Sequence, residues 1–325
     1  MLSRILAGTS VVVFAVLSLA ELVWTARDPG NRFDAPIEST SVESWLAPDT
    51  SVGGPEMKVM TFNLKIDLPL VPGPEWSQRR ARALQVIRKA DPDILGLQED
   101  LYHQLEDVRK GLPSHDFVGE GSYGGVMGEF CSIFYRRSRF QKIDSGSYWL
   151  SERPDCRGST SWGNSFPRVV TWLHLRDLAG EPYEFFVYNL HLPDQNSLAR
   201  RRCAVRVRGT LLNRLRQGYP VLAIGDLNVA PDGVAYRILC KEPIQDAFDL
   251  SPDPLDQGTF HDWTGQPVLG RIDHILGGGI SRVGICQVVV NPSGDRAHVS
   301  DHYPVVAHLK LAAWKYSKEE TGSSD

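Results

Sequence analysis

The sequence predicts an α/β protein, a layered sandwich of sheets flanked by helices. Three observations carry that prediction. Short β-branched and aromatic runs alternate with turn residues over most of 56–314. Several of these runs are apolar almost throughout, the pattern of strands buried on both faces. Two amphipathic helices interrupt them, without the strict strand–helix rhythm of a doubly wound sheet. The chain has 325 residues, 42% hydrophobic and 23% charged, which excludes collagen-like, low-complexity and wholly disordered chains. Length alone, at roughly 150 residues per domain, leaves two domains or one large one open.

Taken in order, the first break in composition is at the N-terminus. Arg4 precedes an uncharged apolar run over 5–20, and Glu21 ends it. The run is shorter than the roughly 20 residues of a spanning helix. Ser18 and Ala20 sit at −3 and −1 of an export-type cleavage point. Residues 1–27 therefore read as a signal peptide or a retained N-terminal membrane anchor, and either one exports the body of the protein. Residues 28–55, punctuated by Pro29, Pro36, Pro48 and Pro55, read as a linker. Strands are expected over 58–64, 94–98, 130–136, 169–175, 185–191, 221–226, 272–276 and 305–311. Helices are expected over 75–90, on the stripe Ala83, Leu84 and Ile87, and over 198–217, on Ala204, Val207, Leu211 and Leu215. The second helix carries seven arginines, from Arg200 to Arg216, read as a solvated outer face rather than a phosphate-binding one. Residues 315–325 are small and polar, a flexible tail.

Charge and cysteines narrow the function classes. Lys+Arg is 35 against Asp+Glu 39, a formal charge of −4, with a pI near 6.2. That balance argues against tight duplex binding through a basic face, because counterion release needs clustered cations. Five scattered cysteines without a CxxC pair are not a disulfide scaffold, although one or two disulfides stay open.

The informative feature is where acids, amides and histidines fall. Thr61-Phe62-Asn63, Gln98-Glu99, Asn189-Leu190-His191 and Gly225-Asp226-Leu227-Asn228 close expected strands, while Arg271-Ile272-Asp273-His274 and Ser300-Asp301-His302 open them. One polar residue at a strand end is an ordinary turn residue. Six such groups in one chain point to a shared site, because strand ends on one edge of a sheet gather together. A site drawing on residues from Asn63 to His302 requires one domain over 56–314. Carboxylates and carboxamides are hard oxygen donors suited to Mg²⁺ or Mn²⁺. There is no HExxH or paired-Cys zinc pattern, no GxSxG elbow and no GxxxxGK[ST] phosphate loop. Asp273 could orient His302, leaving Asp226 to position or deprotonate water. Strand alternation turns His274 away from its neighbour Asp273.

With these motifs in family order, the chain resembles the endonuclease/exonuclease/phosphatase superfamily over about residues 58–311, and segments 128–135 and 147–151 look most like a bacterial branch of it. The resemblance implies a four-layered α/β sandwich, two packed mixed sheets with helices outside. It implies Mg²⁺-dependent hydrolysis of a phosphate ester by in-line attack of water. Glu99 would be the principal metal ligand, with Asn63 beside it and Asp301 close by. His191 would contact a phosphate oxygen, oriented by Glu129. Asn228 would bind phosphate or water, and His302, held by Asp273, would donate to the phosphate or act as base in place of Asp226. Arg168, His261 and Trp263 are expected on the substrate side.

The substrate stays open between nucleic acid, nucleotide, inositol phosphate and phospholipid headgroup, and a monomer is expected. A non-catalytic binding module on the same fold is the alternative. Such a module should lack one of Glu99, Asp226, Asn228 or His302, and all four are present.

Overall fold

A computed structural model of the protein describes residues 49–54, 56–180, 183–254, 257–290 and 298–313. Its strands begin with β1 (Asp49–Gly53), β2 (Met57–Asn63), β3 (Ile94–Gln98), β4 (His115–Val118), β5 (Ile133–Arg136) and β6 (Phe140–Trp149). They continue with β7 (Val169–Asp177), β8 (Tyr183–His191), β9 (Val221–Asp226), β10 (Ile244–Asp246), β11 (Asp273–Gly278), β12 (Ile280–Val288) and β13 (Val305–Ala313). The helices are α1 (Trp76–Ala90), α2 (Tyr102–Gly111), α3 (Ser197–Arg216) and α4 (Val234–Leu239). The expected leader over 1–27, the linker up to residue 48 and the tail over 315–325 lie outside the described residues. Within the expected linker, residues 49–53 instead form β1, which pairs antiparallel with the end of β13. The reading of a linker there missed a strand whose partner lies some 260 positions downstream, beyond the reach of local pattern.

Strand β2 shows why two sheets form. Met57 and Val59 enter one apolar cluster, and Met60 and Phe62, on the opposite face, enter another. A strand with two apolar faces must be covered on both. One sheet runs β1-β13-β2-β3-β5-β4, with β12 also paired to β13; the other runs β10-β11-β9-β8-β7-β6. Both are mixed, because β2 runs parallel to β3 and β8 parallel to β9, while the other pairs are antiparallel. The core between the sheets holds Met57, Val59, Ile94, Leu173, Val187, Leu222, Ile275 and Leu309. Outside the first sheet, α1 and α2 seat Ala83, Ile87, Leu105 and Val108 against Phe62 and Leu95. Outside the second, α3 and α4 seat Val207, Leu211 and Leu239 against Tyr188 and Val221. These three apolar clusters define the four layers, helix–sheet–sheet–helix.

The arginines of α3 are less solvated than the charge pattern implies. Arg200 donates to the carbonyls of Pro193 and Asp194, and Arg208 to those of Leu239, Lys241 and Glu242. Arg214 lies over the Phe186 ring at 4.1 Å. All five cysteines are free thiols. Among the described residues, no helix is long and apolar enough to cross a membrane.

Candidate active site

The site is built where β2, β3, β8 and β9 end together. Beneath it the two sheets approach closely because Gly96 has no side chain: a Cβ there would lie 2.7 Å from Ile224 Cδ1 and 3.0 Å from Asn189 Cγ. Gln98 Nε2 donates to Asn189 Oδ1 across that gap at 2.6 Å, and Asn189 Nδ2 donates to the carbonyls of Leu97 and Ser132 at 2.7 Å each. This buried amide network satisfies every group it desolvates and fixes the sheet-to-sheet register just below the site. Gly225 (φ +143) serves a similar end, since a Cβ there would meet Leu190 O at 1.9 Å. That close approach sets His191 directly beside Asp226 across the parallel β8–β9 pair.

On one side of the site sits a set of oxygen donors. Glu99 follows β3 in a left-handed conformation (φ +59), which turns its carboxylate inward. Glu99 Oε1 accepts from Asn63 Nδ2 at 2.9 Å and Oε2 from the Ile66 backbone N–H at 3.0 Å. Burial opposes its ionisation, but Lys65 and these hydrogen bonds outweigh burial and hold its pKa at about 2. The Lys65 ammonium lies 2.8 Å from Asp301 Oδ2 and 4.0 Å from Glu99 Oε2. Ionised, oxygen-only donors around a spot that already seats a cation fit a hard divalent ion. Asn63 departs from the expected ligand role. Its Nδ2 faces Glu99 and Asp226 (2.9 and 3.1 Å), and its Oδ1 accepts from Lys65 N, so it orients the acids instead of offering them an oxygen neighbour.

The second part is an acid–base group. Asp273 and Asp226 face each other across the β9–β11 pair. His302 Nδ1 lies 2.8 Å from Asp273 Oδ2, and its Nε2 points to Asp226 Oδ2 at 3.8 Å. Burial would lower the His302 pKa; the Asp273 carboxylate, aided by Asp226 and Asp301, overrides it and raises the pKa to about 10. The imidazole is thus charged, with Nδ1–H donating to Asp273. Asp226 is raised to about 7 by burial first and by Asp273 second, against the lowering effect of His302. Atoms of Asp226, Asp273 and His302 lie close enough together to hold a metal ion. With Nδ1–H on Asp273, His302 turns Nε2 toward Asp226, and while the ring is protonated that nitrogen is a donor and not a ligand, the state of an acid–base triad.

The third part presents N–H donors. Arg168 Nη1 lies 2.9 Å from His191 Nδ1, and a guanidinium can only donate, so His191 carries its proton on Nε2. Burial, with Arg168 beside it, lowers the His191 pKa well below the ordinary histidine value, so the ring is neutral. Asn228 Nδ2 lies 2.9 Å from that same Nε2. Asn228 Nδ2 gives one N–H to Leu192 O at 2.9 Å, so its second N–H and the His191 Nε2–H meet without an acceptor, a pair matched to an anionic oxygen lying beside them and accepting from both. Asn228 reaches this position through a left-handed turn (φ +49), with its N–H on Asp226 Oδ1 at 2.8 Å. Glu129 does not orient His191 directly: its Oε2 is 3.7 Å from His191 Nδ1 but 3.0 Å from Arg168, which stands between them.

The site therefore gathers Asn63, Glu99, Glu129, Arg168, His191, Asp226, Asn228, Asp273, Asp301 and His302. His261, expected on the substrate side, is fully buried behind His302, its ring 4.2 Å from Tyr303 and 4.6 Å from His298. Packed against these rings, it presents no surface to solvent. Trp263 is half-buried beside the Lys65 loop, where its Nε1 donates to Pro72 O at 3.1 Å. His274 turns to the opposite face, onto Asp246 Oδ2 at 3.0 Å.

Two contributors, Lys65 and Arg79, escaped sequence reasoning, and Ser300 was read only as part of its motif. Arg79 is a fully buried guanidinium of α1 that donates to the carbonyls of Leu64, Lys65, Pro74 and Val299 and lies over the rings of Trp76 and Trp263. It ties the segment after Asn63 to the segment before Asp301, and Ser300 Oγ adds a bond to Asn63 O at 2.7 Å. Its only signal is an arginine on the apolar side of α1, which is ambiguous without the fold.

A family model described as endonuclease/exonuclease/phosphatase family matches residues 60–302. An endonuclease/exonuclease/phosphatase from Bacteroides vulgatus is 30% identical with a TM-score of 0.72, covering 79% of this chain and 99% of its own. A mannosyl-6-phosphatase from Bacteroides thetaiotaomicron is 29% identical (TM-score 0.70), covering 78% and 99%. The human Nocturnin catalytic domain, 19% identical (TM-score 0.64; 79% and 95% covered), shares the fold. No curated protein matches the sequence. A family model spanning most of the chain, over a site assembled from that same span, places the conclusion beyond fold alone: this chain belongs to the endonuclease/exonuclease/phosphatase family.

Proposed function

We propose that the protein is an exported, Mg²⁺-dependent hydrolase that cleaves a phosphate ester by in-line attack of water, with Mn²⁺ acceptable to the same oxygen donors. The observation that carries this reading is the meeting of three groups at one strand-end site: ionised Glu99 with Asp301, Asp226 near neutrality beside charged His302, and the facing donors of His191 and Asn228.

Enzymes of this family are generally dependent on a divalent metal, and Glu99 and Asp301 would hold one here. When bound, such an ion draws charge from the phosphate and its leaving group. Asp226 accepts the proton of the attacking water, because His302 already carries its own proton at neutral pH and cannot take another. His302 Nε2–H, His191 Nε2–H and Asn228 Nδ2–H donate to the non-bridging oxygens as charge builds in the transition state. Asp273 keeps His302 charged and aimed, and Arg168 fixes the His191 tautomer. No catalytic group is missing, which leaves the binding-module alternative without an observation in its favour.

The likeness to a mannosyl-6-phosphatase and the net charge of −4 both favour a small, soluble phosphate ester, such as a phosphorylated sugar, over duplex nucleic acid. Export rests on the leader reading of residues 1–27. The test is a turnover panel with Mg²⁺ and with EDTA: hexose phosphates, nucleotides, inositol phosphates, phospholipid vesicles, and single- and double-stranded nucleic acids. Hydrolysis of a sugar phosphate that EDTA abolishes is the expected result. Turnover that survives EDTA, or none on any substrate, would overturn the reading. Sequencing the N-terminus of the exported product checks the leader.

A further inference from the structure

The end of the sandwich away from the catalytic groups carries a second concavity, for which nothing in the proposed hydrolysis has a use. It is a cleft of about 530 Å³ whose lining includes Arg109, Lys110, Arg137, Lys142, Asp116 and Tyr135. Register fixes its position. Tyr135 pairs with Ile94 at the start of β3, whereas Glu99 follows the end of that strand. Lys142 pairs with Leu175, which in turn pairs with Phe185 near the start of β8, whereas His191 ends β8. The cleft therefore lies at the opposite pole from the site, between the edge strands of the two sheets. We propose that it binds the polyphosphate chain of a small anionic ligand.

The charge count supports an anion. Arg137 is held by Asp116 Oδ1 at 2.9 Å and by the carbonyl of Pro113. Arg109 is held by both oxygens of Glu106 at 2.9 Å. These two pairs are neutral and fix both guanidinium planes. Among the described residues Lys110 and Lys142 make no ion pair, although Lys110 lies near enough to Glu106 and Asp107 to help hold their carboxyls down, so the cleft's basic excess rests on these two ammonium groups in a chain whose net charge is −4. His115 adds none. Burial lowers its pKa, while Nε2 donates to Pro92 O at 2.8 Å and Nδ1 accepts from Ser114 Oγ at 3.0 Å.

The C-terminus of α2, which would repel an anion, is partly covered: Arg88 Nε donates to Gly111 O at 3.0 Å and Leu112 N–H to Val108 O at 2.9 Å. Two ammonium groups beside a fixed guanidinium suit more than one phosphate, and Phe117 and Pro113 offer an apolar wall for an attached ring. The volume is that of a small-molecule site.

The test is equilibrium dialysis of the Asp226→Asn protein in EDTA, with tripolyphosphate in one arm and adenosine triphosphate in the other. Saturable one-to-one binding is expected. Lys110→Glu/Lys142→Glu should weaken it by at least about tenfold, while Arg201→Glu/Arg202→Glu, an equal charge reversal on α3, should leave it unchanged. Tighter binding of adenosine triphosphate assigns a nucleotide; equal binding assigns polyphosphate itself. Lys110→Gln/Lys142→Gln, which should also weaken binding, replaces the reversal if that protein fails to fold. Equal loss in both charge reversals, loss on Arg168→Ala instead, or no binding in either arm would overturn the proposal.

Discussion

Replacing Asp226 by Asn should stop turnover and stabilise the fold, and the second effect depends on pH in a way the site dictates. The carboxyl is fully buried, with a pKa near 7 set by burial and then by Asp273. An unfolded aspartate titrates at about 3.9, so the difference amounts to about 4 kcal/mol against the folded state once the group is ionised. The sign follows from proton counts. Between about pH 4 and pH 7 the folded state binds more protons at this position than the unfolded one, so wild-type stability falls as pH rises through that window.

Asparagine has no charge to bury, and that decline disappears. It brings a cost, because an amide nitrogen placed toward Asn63 Nδ2, now 3.1 Å from Asp226 Oδ2, sets donor against donor at about 1–3 kcal/mol. The variant should therefore be more stable than wild type at pH 8 by roughly 1–3 kcal/mol, and the difference should shrink by roughly 2–3 kcal/mol on going to pH 5. Urea unfolding of both proteins in EDTA at pH 5, 6, 7 and 8 measures this. A stability difference that stays constant over that range would refute the reasoning, because the packing cost is pH-independent and only the buried charge titrates.

Further outcomes follow from the same groups. The rate profile should be bell-shaped: its rising limb tracks deprotonation of Asp226 at or below pH 7, since a cation at Glu99 lowers it further, and its falling limb tracks His302 near pH 10. Asp273→Asn should lower kcat by about 10²–10⁴-fold and move the falling limb toward about pH 6.5–7, as His302 loses the carboxylate 2.8 Å away; an unmoved limb would exclude this pairing. Arg79→Met leaves the buried carbonyls of Leu64 and Val299, and the part-buried ones of Lys65 and Pro74, without this donor, so denaturant unfolding should show a loss of at least about 3 kcal/mol, with part recovered in Arg79→Lys.

Much of the fold was legible in the chain, and the misses have physical reasons. The strands carrying the site are short, apolar on both faces and bounded by turn residues, so β2, β3, β8 and β9 appear at nearly the expected positions. Strand β6 reads FQKIDSGSYW and lies at a sheet edge with four consecutive exposed residues, so it carries no alternation to find. Strand β12 is broken by two register shifts, which scramble the period of two. Helix α2 offers only Leu105 and Val108 to the core.

The sequence by itself determined which residues can do chemistry here and at which strand ends they fall, because hydrogen-bonding capacity and β-pattern are local properties. It could not set the titration of Asp226 apart from that of His302, place Arg168 between Glu129 and His191, or find Lys65 and Arg79. Those depend on distances between segments far apart in the chain, such as the Arg79–Val299 bond across 220 positions. Only the tertiary structure decides them, since burial and neighbouring charge, not residue type, put Asp226 near 7, His302 near 10 and Glu99 near 2.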